Sequence, residues 1–116
     1  METVRQRFAE LYSAFNRRDV DAVLAAMVPD VDWPNGMEGG RVHGHAEVCH
    51  YWTRQWSAID PIVEPVSFAE EDDGRIAVGV HQVVLDLAGN LLVDQQVEHV
   101  YRMRGGLVES MEIRQP

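Results

Sequence analysis

A single cysteine, Cys49, means that no disulfide can close within the chain. A protein that makes no use of disulfides is expected in a reducing compartment, taken here as the cytoplasm. No apolar run approaches the roughly 18 residues that a membrane-spanning helix needs. Arg5 and Arg7 are not followed by the apolar stretch and cleavage site of a secretory leader. Positive charge is also scarce, with ten basic residues against nineteen acidic ones and a net charge of −9. Without clustered basic side chains to neutralise phosphates, neither a nucleic-acid partner nor a membrane surface is expected. Repeats, linkers and low-complexity tracts are missing too, so residues 1–116 are expected to form one domain with one core.

What is present is an ordered succession of periodic segments. Val4, Phe8, Leu11, Tyr12 and Phe15 have the spacing of a helix with one buried stripe, and the pattern breaks at Asn16-Arg-Arg. Asp19 is placed to cap a short second helix that ends before Pro29, and Val31-Asp-Trp-Pro reads as a short strand. The glycines from Gly36 to Gly44 suggest a loop, and His45 to Ile59 a third helix that turns Val48, Tyr51, Trp52, Gln55, Trp56 and Ile59 inward. Four strands follow, over 62–71, 75–87, 91–104 and 107–115, separated by Asp73-Gly74, Gly89-Asn90 and Gly105-Gly106. Helices first and an antiparallel meander afterwards define an α+β architecture, in which a long twisted sheet curls around the helices into a cone with a hollow end.

Two-residue turns at the glycines would set the strand registers. They would put His81 opposite Glu98, Val83 opposite Gln96, Val66 opposite His81, Phe68 opposite Gly79, Arg102 opposite Glu109, Val100 opposite Met111 and Glu98 opposite Ile113. One face would then collect Val66, Phe68, Val83, Leu85, Val100, Met111 and Ile113 around an acid and an imidazole, and would line the hollow. The other face, with Val97, His99 and Tyr101, is too apolar for a free sheet surface and is expected to pair with a second copy in a homodimer.

The stretches Tyr12-Ser-Ala-Phe-Asn-Arg-Arg-Asp-Val-Asp-Ala-Val, Pro29-Asp-Val-Asp-Trp-Pro, Gly40-Arg-Val-His-Gly-His-Ala-Glu-Val and Glu98-His-Val-Tyr-Arg-Met-Arg-Gly-Gly-Leu-Val-Glu-Ser-Met resemble, in that order, the NTF2-like superfamily and within it the SnoaL-like and ketosteroid-isomerase-like proteins. The resemblance spans nearly the whole chain. It implies a cone-shaped, curved antiparallel sheet with three N-terminal helices enclosing a pocket, a dimer, and chemistry without a cofactor on a lipophilic metabolite, of isomerase, cyclase or dehydratase type. The same fold also serves for binding or dimerisation alone. Glu98 matches the position where ketosteroid isomerases keep a protonated acid for a developing oxyanion, a system that is itself a standard worked case of pKa tuning. The isomerase base position is occupied by Trp33, with Asp32 one residue early and pointing to the opposite side. The isomerase tyrosine position falls on Leu11, with Tyr12 one place off.

The candidate chemistry therefore centres on Glu98 and His81. A carboxyl on an apolar face has its ionised form disfavoured, and a facing imidazole would titrate with it. Tyr12, Trp33, Trp52, Val83, Gln96, Val100 and Met111 are the expected substrate-binding walls, suited to a small apolar ligand. Aromatics at helical spacing also serve simply as core. His43, His45, Cys49 and His50 lie close in sequence, but a helix start explains them better than a metal site, and no metal or cofactor is expected. The only base on the same turn of helix as Cys49 is neighbouring His50, which points about a quarter-turn away, so a nucleophilic thiol is not expected.

Overall fold

The computed structural model describes residues 2–115. Three helices, α1 (Glu2–Asn16), α2 (Val20–Ala25) and α3 (Gly44–Ala58), accompany six strands: β1 (Met27–Pro34), β2 (Arg41–His43), β3 (Ile59–Glu70), β4 (Ile76–Asp86), β5 (Leu91–Arg104) and β6 (Leu107–Arg114). The strands form one sheet in the order β2-β1-β6-β5-β4-β3. All neighbours are antiparallel except β1, which runs parallel to β6. The helices lie on one side of the curled sheet, so the α+β expectation holds.

The helical stripe forms as its period predicts: Phe8, Leu11 and Tyr12 are buried. The end of α1 is tied to β3, because the Asn16 side chain donates to the carbonyl of Val63 at 2.8 Å and accepts its N–H at 3.0 Å. Arg18, in a left-handed conformation at φ 64°, turns the chain. Its guanidinium donates to the Pro61 carbonyl at 3.0 Å and pairs with Asp60. Asp19 caps α2 by accepting the N–H of Ala22 at 3.2 Å. The glycine-rich region is a loop only from Asn35 to Gly40, since Arg41–His43 pairs with β1 as an edge strand.

The strand registers differ from those expected of two-residue turns, and the differences decide which side of the sheet faces the helices. Gly105-Gly106, both at positive φ, do close a two-residue turn with Arg104 opposite Leu107. Beyond that turn Glu109 is an unpaired extra residue, so Arg102 faces Ser110, Val100 faces Glu112 and Glu98 faces Arg114. The other two hairpins have three-residue loops, in each of which a type I turn leads into a left-handed glycine. Gly74 N–H donates to Glu71 and Glu71 N–H to Arg75; likewise Gly89 donates to Asp86 and Asp86 to Asn90. Val66 and Leu92 are extra residues as well. His81 consequently faces Gln96, Val83 faces Asp94 and Gly79 faces Glu98. Phe68 faces Val78 and Glu64 faces His81.

These shifts move Phe68 and Met111 onto the face of Val78, Val80, Val97, His99 and Tyr101, and that face carries the core. Val97, His99 and Tyr101 are buried beneath the helices, with Tyr101 wholly inaccessible, so the expected dimer surface made of these residues does not exist. Glu98, His81, Val83, Gln96 and Val100 lie on the outer side.

Candidate functional site: an aromatic cleft with a buried histidine

The hollow end of the cone opens between α1, α3 and the inner face of β4, β5 and β6. The cleft measures about 80 Å³, and its lining includes Tyr12, Phe15, Trp33, Tyr51, Trp52, Tyr101 and Met111, with Gln55, Gln82 and His99 among the polar groups. Trp33 and Trp52 meet edge to face, 5.6 Å between ring centroids at 89°. Tyr51 ties the glycine loop to the cleft by accepting the N–H of Gly36 at 3.0 Å. A wider depression of about 950 Å³ runs between α1 and the β5–β6 turn. The polar side chains lining that depression, Gln6, Arg7, Glu10, Ser13 and Arg17, are all exposed, so it lacks convergent buried polar groups.

At the closed end of the cleft three polar side chains form a chain of hydrogen bonds. The Tyr12 hydroxyl lies 2.7 Å from Nδ1 of His99 and 2.7 Å from the Tyr101 hydroxyl. Bond satisfaction sets the direction. Tyr101 is fully buried and Tyr12 is its hydrogen-bond partner, so Tyr101 must donate to Tyr12 for its proton to be satisfied. Tyr12 then donates to His99, whose Nδ1 is the unprotonated nitrogen. The ring proton sits on Nε2, which has no protein partner among the described residues and belongs to a side chain lining the cleft.

The electrostatics agree with this arrangement. Burial lowers the His99 pKa from 6.5 to about 4, keeping the imidazole neutral at pH 7. Tyr12 is raised well above the usual phenol value by burial first and by Tyr101 second; Tyr101 is likewise raised by burial. Both phenols are therefore proton-bearing throughout the neutral range. The cleft thus offers a neutral N–H donor, backed by two phenols, at the end of an aromatic slot.

Of the sequence-derived candidates, Tyr12, Trp33, Trp52 and Met111 come together here. The others do not. Glu98 accepts from Nε of Arg114 at 2.8 Å, and His81 Nε2 lies 2.7 Å from Asp94, both on the outer face. Val83 and Gln96 share that face, and Val100 is buried there opposite Ala77, apart from the core cluster. The expected Glu98–His81 pairing fails because the three-residue loop and the extra Leu92 shift β5 by two residues, while the three-residue loop at 72–74 and the bulge at Glu109 carry Phe68 and Met111 to the other side. Asp32 points away from the cleft, as expected beside buried Trp33, and is held by Arg41 at 2.6 Å. His45 sits 3.1 Å from the Met27 carbonyl and His43 3.3 Å from Asp32.

His99 is the site residue that the registers misplaced. A signal for it exists within β5 itself: Val97, His99, Tyr101 and Met103 alternate with Glu98, Arg102 and Arg104, so His99 belongs to the apolar row.

The SnoaL-like domain profile matches residues 8–111. Among solved structures, an NTF2-like protein of unknown function from Burkholderia pseudomallei is 33% identical over 100% of this chain and 92% of its own, with a TM-score of 0.83. TerC, co-crystallised with polyporic acid, is 28% identical over 96% of this chain and 89% of its own, with a TM-score of 0.81. SalBIII, an epoxide hydrolase/cyclase-like enzyme with a role in pyran ring formation in salinomycin, shares the fold at 20% identity over 97% of this chain and 90% of its own, with a TM-score of 0.79. No curated protein matches the chain. With its helices, its curled sheet and a profile match over nearly its full length, the chain belongs to the SnoaL-like family of NTF2-like proteins.

Proposed function

We propose that the protein binds a lipophilic, ring-bearing small molecule in the aromatic cleft, with an oxygen of that molecule accepting the Nε2–H of His99. The observation that carries this reading is the Tyr101–Tyr12–His99 hydrogen-bond chain ending in an unpartnered ring nitrogen at the closed end of the slot. A neutral imidazole N–H in a water-poor site stabilises negative charge developing on a carbonyl or enol oxygen, and needs no cofactor to do so. TerC's co-crystallised polyporic acid and SalBIII's role in ring formation support a small-molecule role of this kind.

A second reading, binding without turnover, is favoured by one feature. The described lining contains no carboxylate, so the base that would complete a proton transfer has to come from the ligand or from water. His99→Phe separates the two. Phenylalanine keeps a ring of similar size but offers no N–H to a developing oxyanion. Under the catalytic reading, the variant keeps ligand binding within about tenfold, followed by quenching of the cleft tryptophans, and loses turnover by about a hundredfold. Unchanged turnover would exclude a role for His99 in the chemistry.

The proposal also includes a homodimer, now through the side of the sheet that the registers turn outward. Ile62 is exposed there beside half-buried Val83 and Leu85, an apolar patch that an isologous contact would cover.

A further inference from the structure

Two polar side chains interrupt the apolar lining on the inner face of β4 and β5, at opposite ends of the cleft. His99 marks the closed end. Gln82 is half-buried, stands directly opposite Gln95, and accepts that residue's amide N–H on Oε1 at 3.0 Å. This bond occupies the acceptor of Gln82 and leaves its Nε2 hydrogens without a protein partner among the described residues, in a side chain that lines the cleft. Gln95 and His99 share one face of β5 with Val97 between them, a separation of about 13 Å at the usual strand rise. At about 80 Å³ the cleft is smaller than the roughly 150 Å³ cavity known to take a benzene ring, so a multi-ring ligand cannot be held wholly within it, and Gln82 is among the side chains that line it.

From this geometry we propose that Gln82 is a specificity-determining residue. The cleft takes an elongated molecule of linked or fused rings with an oxygen at each end, one held by His99 and the other by the Gln82 amide. The proposal rests on the binding function above and adds a second recognition point to it. Discrimination follows from chemistry: a ligand that covers the mouth but lacks the distal oxygen leaves the Gln82 donor desolvated and unpaired, whereas one that carries it satisfies the donor. An apolar slot with no such donor would prefer the less polar molecule.

The test compares two rigid probes of similar length, 4,4′-dihydroxybiphenyl and 4-hydroxybiphenyl, titrated against tryptophan fluorescence in the wild type and in Gln82→Leu. Gln82→Met serves as a second variant should the first fold poorly. The wild type is expected to bind the dihydroxy probe about fivefold more tightly. Either variant should lose or reverse that preference, with 4-hydroxybiphenyl bound at least as tightly as by the wild type because the unpaired donor is gone. Equal wild-type affinities, or a preference that survives both substitutions, would overturn the role of Gln82 and leave the binding function standing. Failure of the wild type to bind either probe would instead overturn the binding function, and this inference with it.

Discussion

His99 is a base held in its neutral form by its surroundings, and mild acid opposes that. Above pH 6.5 the folded and unfolded chains both carry a neutral imidazole. Between 6.5 and about 4 only the unfolded chain takes up the proton, so stability falls with pH through this window and levels off below it. The gap between the two values corresponds to about 3 kcal/mol. Asp73 and Asp86, held below the usual carboxylate value chiefly by bonds from the Arg75 backbone and the Asn90 side chain respectively, lose their contributions at lower pH. Urea midpoints measured across the window should therefore decline more steeply for the wild type than for His99→Gln. The hydrogen-bond order makes a second prediction. Tyr12→Phe leaves both the Tyr101 hydroxyl and His99 Nδ1 unpaired and should cost about 2–4 kcal/mol, while Tyr101→Phe removes one donor and should cost about 1 kcal/mol. Equal costs in denaturant titrations would contradict the assigned direction. Tyr12, Trp33 and Trp52 were legible as candidates because each sits in a segment whose period marks its buried side.

At the scale of the elements, turn chemistry sets the geometry. The Asp86 carboxylate accepts from the N–H groups of Ala88 and Asn90 and from the Asn90 side chain, at 2.8–2.9 Å, and so stabilises the longer loop over a two-residue turn at Gly89-Asn90. Asp86→Ala should lower the midpoint of chemical denaturation, with the hairpin amides of 86–91 losing hydrogen-exchange protection first. An aspartate three residues ahead of a glycine is a local signal for this loop. The extra residues Val66, Leu92 and Glu109 have no comparable mark: none is a glycine, and each reads as an ordinary strand residue. Gly79 does carry a constraint, since a Cβ there would run into the Ser67 hydroxyl beside the Val66 bulge.

Across the whole molecule, the outer sheet face divides into two regions. At one end Arg114 bridges Glu98 and Glu71, and Arg75 and Arg102 share Asp73. These groups are partly or well exposed, so each pair contributes little to stability. At the other end lie Ile62, Val83 and Leu85. Val83→Glu should turn a sedimenting dimer into a monomer with an unchanged far-UV spectrum; a wild type that sediments as a monomer at micromolar concentration would remove the basis for the interface. The amino-acid sequence alone determined a single α+β domain, the order of its elements, the positions of its three hairpins and the aromatic stripe of its helices, because all of these follow from local period and turn residues. Only the tertiary structure decided which side of the sheet the helices cover, and so which histidine is buried and which carboxylates are left outside. The physical reason is the two-residue period of a strand: one unmarked extra residue exchanges inside for outside from that point on.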